Sequence, residues 1–384
     1  MYLNTFYLTS KNFAKKSIIT HTIIFLIILL ILPGSIVFCT VSSYTSTSDL
    51  LLFGPYPQYP TSTSITICWE TKQITKQCML YWGETKECSH FKEIPQSDLE
   101  PFYAVKISDL RPSTKYYYKI SIQDQHTPVY SFETSARKNE TITFAVYGDT
   151  RGVWDDWRNA SFVANAIKQK NPSFIIHTGD IVHDGRNKKE WVDYFTISDL
   201  LHNTSLYPAI GNHEKRANYY DTYFLQNIST SWYSFDNGPV HFIALDSEFP
   251  YRYNQEQFQF LIRDLLTHEK PYTIIYFHHP PYSAGLHGST YDIRFLWGVF
   301  FELFNVDIVF NGHDHLYEHG KVGSVHYVVA AGGGAPLYPS GNRWWTQYSE
   351  SVYHFCYLVA NQKDLTVHVI DINQETIDSF VIEP

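Results

Sequence analysis

Five short stretches place a carboxylate, amide or imidazole where it could do chemistry: Gly148-Asp149, Gly179-Asp180 with His183 three residues on, Gly211-Asn212-His213-Glu214, His278-His279, and Gly312-His313-Asp314-His315. Taken singly, each has a plainer explanation, because an Asp at a strand end is ordinarily a turn former and a lone His ordinarily a hydrogen-bonded neighbour. Together they are different in kind. So many imidazoles and carboxylates brought to one place would be costly to desolvate without a cation, and a metal centre removes that cost. Nitrogen and oxygen donors with no thiolate among them point to Zn, Mn or Fe.

The elements that must position these residues can be read around them. TITFAVYGD, PSFIIHTGD, LYPAIGNHE, YTIIYFHHP and VDIVFNGHDH are apolar runs that end in the polar groups, as strands do at a sheet edge. Helical spacing fills the stretches between, over 154–169, 188–201, 255–268 and 292–304. Strands alternating with helices predict an α/β sheet whose ligand sites gather at the carboxyl ends of the strands. From His326 the chain is strand-rich again and carries a GGGAP turn.

In order and phrasing, these motifs resemble the calcineurin-like metallophosphoesterases, and within them the purple acid phosphatases, whose members often carry an N-terminal fibronectin-like domain. The resemblance covers about residues 50–384. It implies a four-layer α/β/β/α catalytic domain holding two divalent or trivalent metal ions (Fe, Zn or Mn) bridged by one aspartate. On that pattern Asp180 is the bridge, Asn212, His278 and His313 complete one metal, and Asp149 and His315 bind the other. His213 faces the phosphate with Glu214 orienting it, and His287, nine residues after His278, stands as a second substrate-facing histidine.

Two departures from the family pattern matter. Position 183 is a tyrosine in the purple enzymes, whose phenolate on Fe(III) gives the colour; here it is His183. The wider superfamily begins with Asp-x-His, and here that histidine is replaced by Arg151, which is always charged and has no lone pair to donate. Ligand counting then assigns His183 to the metal held by Asp149, Asp180 and His315, and predicts an enzyme that is not purple. Arg151, freed from ligation, becomes a clamp for a substrate phosphate oxygen. His319 stands where the family often has Arg and is assigned no role, while His177, His241 and His279 read as structural or supporting groups.

Upstream, TSITICWE, QCMLYWGE, FYAVKISDL, KYYYKISI and VYSFETSA alternate apolar and polar residues between Pro, Gly, Asp and Ser, as in a small β-sandwich. The segment ISDLRPSTKYYYKISI, with Trp69 before it, resembles the fibronectin type III pattern, and the domain is expected over 50–137 as a spacer or shield, ahead of a catalytic domain over 140–384. Residues 42–49 read as a linker. In 1–41, Lys11, Lys15 and Lys16 precede an apolar run that includes Ile23 to Leu32, the layout of a signal peptide or signal anchor. That predicts a secreted or cell-surface protein, anchored by a transmembrane segment if uncleaved, with membrane contact through that segment alone. Cys68, Cys78 and Cys88 leave one disulfide open in such a compartment.

With 38 acidic against 29 basic residues the chain has no general attraction for nucleic acid. A charged fraction of 17% with 44% hydrophobic residues describes a folded chain with an ample core. The expected activity is hydrolysis of phosphate esters by a metal-activated hydroxide, most directly of monoesters as in an acid phosphatase. The alternatives are a phosphodiesterase or nucleotide pyrophosphatase and, in another class, a non-catalytic cell-surface binding protein on the same fold. A homodimer is compatible with this reading.

Overall fold

The structure, a computed structural model, describes residues 50–75, 77–94, 101–123, 125–215, 217–225, 231–248 and 255–384. The expectations for 1–41 and for the linker over 42–49 fall outside them. Among the described residues, no helix is long and apolar enough to cross a membrane.

Two sheets form the heart of the α/β part. One orders its six strands as Ser205–Pro208, Phe174–His177, Ile142–Tyr147, His354–Ala360, Leu365–Asp371 and Thr376–Ile382. The other orders seven as Tyr233–Asn237, Val240–Ala244, Tyr272–Tyr276, Ile308–Asn311, Val325–Ala330, Tyr317–Val322 and Thr346–Glu350. The strands that precede the polar motifs are parallel neighbours: 142–147, 174–177 and 205–208 in the first sheet, 272–276 and 308–311 in the second. Their carboxyl ends therefore finish side by side, with Tyr147, His177 and Pro208 in register.

Side-chain alternation builds the layers. Phe144 and Val146 point into a core shared with Phe242, Ile274 and Phe310 of the other sheet, whereas Ala145 and Tyr147 pack on Val163, Ile167 and Tyr194 of the helices Arg158–Lys170 and Lys188–Ile197. On the far side, Ile243, Ile275 and Val309 pack against Leu261 of the helix Gln255–Thr267 and against Trp297 and Phe301. Strands covered on both faces read as continuous apolar runs, which is why their sequences carry so few polar residues. The result is helix, sheet, sheet, helix. The last helical stretch, 291–303, contains a π-helical turn over Arg294–Gly298 between two short α-helical pieces.

The N-terminal part is a sandwich of a three-stranded sheet (Leu51–Gln58, Ile65–Thr71, Phe102–Ile107) and a five-stranded one built on Cys78–Gly83 and Lys115–Ile122. Trp69, Leu80, Tyr103 and Tyr118 fill its core. Its first strand turns outward. Phe53 stacks on Phe195 at 4.4 Å, Tyr56 donates to the Tyr223 carbonyl at 2.8 Å, and the buried Glu70 accepts from the Tyr223 hydroxyl at 2.9 Å and pairs with Lys188. The sandwich is thus fastened to the α/β part along a continuous seam, and a cavity of about 730 Å³ beside it is lined by Glu70, Phe102, Lys188, Tyr219 and Tyr223 among others.

The disulfide left open by the sequence does not form. Cys68, Cys78, Cys88 and Cys356 are free and buried. Cys68 points toward the α/β part while Cys78 points into the sandwich core, so the two thiols lie on opposite faces of their sheets.

Candidate metal centre

Three of the polar residues share one backbone conformation. Asp149, Asp180 and His313 each follow a glycine at a strand end and take φ values of 58°, 56° and 72°. This left-handed region is uncommon for residues with a Cβ and is retained where the surroundings over-determine it, as at functional sites. The turns also interlock: Asp149 N–H donates to Gly179 O, Thr150 N–H to Asp180 O, and His313 N–H to Asp149 Oδ2 at 3.0 Å. Two glycines make room for the carboxylates. A Cβ at Gly211 would stand 2.3 Å from Asp180 Oδ1, and one at Gly312 would stand 2.6 Å from Asp149 Oδ2.

Backbone carbonyls set the imidazoles. His278 Nδ1 donates to Thr178 O at 3.0 Å, His315 Nδ1 to Pro336 O at 2.7 Å, and His213 Nδ1 to His183 O at 2.6 Å. A carbonyl can only accept, so Nδ1 of each ring carries the proton and Nε2 is the nitrogen left facing the centre, the arrangement metal-binding histidines use. His278 Nε2 lies 3.5 Å from Asp180 Oδ2 and 3.2 Å from Asn212 Oδ1, and His315 Nε2 lies 3.4 Å from Asp149 Oδ1. Asp149, Asp180 and His278 are fully buried or nearly so.

Burial disfavours charge at Asp180, yet His278, Arg151 and His213 around it hold its carboxyl well below the usual range. Burial also disfavours a charged His278, but the Asp180 and Asp149 carboxylates overcome this and raise it to about 10. Burial and the neighbouring His278, His279 and His287 push His313 far down, so it stays neutral.

These residues suit a metal. The buried Asp149 Oδ1 and His183 Nδ1 have no hydrogen-bond partner, and buried polar atoms left so call for an ion or water. Two groups have donor atoms within 4.8 Å of one another: Asp149, Asp180 and His278, and His278, His279 and His313. The structure therefore draws Asp149, Asp180, Asn212, His278, His313 and His315 together. His183 joins neither group; its ring lies 4.8 Å from that of His213 and edge-on to Trp154 at 4.9 Å. His287 reaches the site, its ring 4.5 Å from that of His313.

Arg151 enters the middle of the cluster. Its Nε lies 3.5 Å from Asp180 Oδ2, and its two terminal nitrogens meet His213 Nε2 and His315 Nε2.

Several groups act differently from, or were absent from, the sequence reading. The Glu214 carboxylate accepts the backbone N–H groups of Asp180, Ile181, Val182 and Gly211 at 2.7–3.4 Å, so it pins the Asp180 turn to the Asn212 turn. Glu190 does the same for the next residues, accepting from His183 N–H and Asp184 N–H. Asp314 accepts from Ser283 Oγ at 2.6 Å and from the N–H groups of His287 and Gly288, and so shapes the loop carrying His287. The only sequence signal for Asp314 is its place between two histidines. His279 contributes a ring nitrogen to the second group, with Ser247 Oγ at 3.1 Å and Glu248 Oε1 at 3.0 Å beside its Nδ1. His177 is a packed neighbour whose burial lowers it to about 3, and His241 lies in a network elsewhere with Asp236 and Asp264.

Residues 142–317 match the family model of the calcineurin-like phosphoesterases. Purple acid phosphatase 21 of Arabidopsis thaliana is 29% identical over 238 residues, which are 56% of this chain and 53% of that protein. The Fe(3+)-Zn(2+) purple acid phosphatase 12 of the same plant is 23% identical over 333 residues, 74% of this chain and 70% of that protein. The matched span thus covers about half the length of the first of these relatives. Among solved structures, a purple acid phosphatase from yellow lupin (Lupinus luteus) seeds superposes with a TM-score of 0.74 over 86% of this chain and 74% of its own, at 18% identity, and so shares the fold. The chain therefore carries a calcineurin-like metallophosphoesterase domain behind N-terminal β-sheets, with purple acid phosphatases as its homologues.

Proposed function

We propose that this chain is a metal-dependent phosphoric ester hydrolase, acting on monoesters in the manner of an acid phosphatase. One observation carries the reading: the carboxyl ends of five strands from two sheets bring Asp149, Asp180, Asn212, His278, His313 and His315 together, with His213 and His287 beside them. Asp180 would be shared by two ions, Asn212, His278 and His313 would complete one position, and Asp149, His315 and His183 the other. A pair of ions in such a centre binds phosphoryl oxygens and lowers the pKa of a bound water.

The chain's own residues do the rest. The Nδ1 contact to His183 O keeps the His213 ring oriented with Nε2 toward the centre, and once that nitrogen has taken up a proton the ring can hand it to the departing alkoxide. His287, on the loop shaped by Asp314, stands near His313 as a second group for the substrate. The Arg151 guanidinium supplies fixed positive charge for a phosphate oxygen, as phosphoryl transfer requires positioning and charge stabilisation above all. The lysines ahead of the apolar N-terminal run support export, which cell fractionation of the full chain against one lacking residues 1–41 tests.

The decisive experiment is metal quantification on the purified chain lacking residues 1–41, joined to a panel of monoester and diester chromogenic substrates. Bound metal with monoester turnover supports the proposal. Turnover of diesters alone assigns the chain to the phosphodiesterases, and a metal-loaded, well-folded protein inert toward every ester makes it a binding protein.

A further inference from the structure

Arg151 is the residue in the centre that the family pattern does not explain. It is 6% exposed, and its three nitrogens face Asp180 Oδ2, His213 Nε2 and His315 Nε2. With Nδ1 of His315 committed to Pro336 O, the lone pair on Nε2 is the one a metal would take, and here a guanidinium N–H meets it. Asp180 Oδ2 is likewise an oxygen a bridging carboxylate would offer. The other position differs: Asn212 and His278 contact each other, His313 packs on His278, His279 and His287, and no lysine or arginine contact to these three is found among the described residues.

We propose that Arg151 is a tethered cation that competes with metal for the Asp149–Asp180–His315 position, so that the two metal positions of the centre are unequal. This rests on the proposed metal centre. A guanidinium cannot shed its proton, so an incoming ion must displace it or share the same acceptors with it, and two positive charges a few ångströms apart repel in a buried site. Displacement has somewhere to go. The guanidinium carbon is already 5.5 Å from the ring of Trp154, a face on which a cation can rest while keeping one edge toward substrate. The position held by Asn212, His278 and His313 fills first and tightly, while the position beside Arg151 fills later and exchanges faster.

The test is a calorimetric titration of metal-stripped protein with Zn(II), and separately with Mn(II), with metal counted after desalting. Wild type is expected to show two classes of site, the weaker by at least about tenfold, a gap on the scale of a nearby like charge. Arg151→Gln should tighten the weaker class by about tenfold or more and change the first, which shares only Asp180 with Arg151, much less. Arg151→Lys, which keeps the charge, should stay closer to wild type.

Melting temperature gives an independent reading. Without metal, Arg151→Gln should melt below wild type, because it removes a cation that faces the buried Asp180 carboxylate, and its gain on metal addition should be larger. Two ions bound with superimposable isotherms in wild type and Arg151→Gln overturn the inference and leave the centre standing. Equal tightening in the Gln and Lys variants also overturns it, since charge would then not be the cause. No binding by any of the proteins overturns the centre itself, and the inference with it.

Discussion

The imidazole of His213 donates its Nδ1–H to the backbone carbonyl of His183, at 2.6 Å. Because the acceptor is backbone, removing the His183 side chain leaves the contact in place. Substitutions at 183 therefore report on that imidazole alone. His183→Ala should lower the metal content of the Asp149–His315 position while the ion at Asn212, His278 and His313 stays. Wild type loaded with iron should show no intense visible band, whereas His183→Tyr with Fe(III) should gain a phenolate-to-iron absorption. Unchanged metal content and unchanged kcat in His183→Ala would make the residue a bystander.

Asp180 and His213 should separate cleanly. Asp180→Ala removes the carboxylate proposed to be shared by both metal positions and also the acceptor of the His213 N–H, so activity and metal content should fall together. His213→Ala should keep its metal and lose about 10²- to 10⁴-fold in kcat, the range for a positioned proton donor. Metal analysis beside steady-state kinetics reads both; normal turnover in either variant would defeat the assignment.

Asp314 should act through His287. Asp314→Asn keeps the shape but replaces one carboxylate oxygen with an amide donor, so either the His287 N–H loses its acceptor (Oδ1) or Ser283 Oγ and the Gly288 N–H lose theirs (Oδ2). The expected loss in kcat is about tenfold to a hundredfold, the scale of a misplaced reacting group. The informative measurement is the double variant with His287→Ala. If Asp314 works by holding that loop, the pair should lose little more than His287→Ala alone, and fully multiplicative losses would show a separate role.

How much of this was legible in the sequence depends on where the information lies. The strands that lead to the candidate ligands stand out because an apolar run that stops at Gly-Asp or Gly-His writes both its burial and its turn into neighbouring residues. Glu214, Glu190 and Asp314 do not stand out in that way. Each works by accepting backbone N–H groups, and a backbone partner has no sequence signature. The strand Leu51–Gln58 was missed for a similar reason: LLFGPYPQ carries two prolines and a glycine and pairs with register shifts, so its alternation is broken. Its burial comes from Phe195 and Tyr223, far along the chain. The left-handed φ shared by Asp149, Asp180 and His313 could be suspected from the preceding glycines, but only the fold shows the three turns locked together.

Away from the centre, His241 should set part of the alkaline limit of stability. Burial alone would lower its pKa, but hydrogen bonds to Asp236 at 2.7 Å and Asp264 at 2.9 Å, with their charges, raise it to about 9 from 6.5. The fold favours the charged ring. Its contribution is therefore whole below pH 6.5 and is lost as pH climbs through about 9. Lys270 also faces Asp236, at 3.5 Å, and the His268 ring stacks on His241 at 4.6 Å, so the comparison must keep both. His241→Gln should flatten the fall in melting temperature over that window, and parallel curves would refute the linkage.

Glu70 has a consequence for how such a protein can change over time. It sits in the sandwich, but its partners, Lys188 and the Tyr223 hydroxyl, belong to the α/β part. A substitution at either partner weakens the hold on a buried acid across the seam, and a substitution at Glu70 takes the acceptor from the buried Tyr223 hydroxyl in return. The two parts are therefore not interchangeable cassettes. They must drift as a couple, and a sandwich grafted from a relative would bring its own half of the lock without the other.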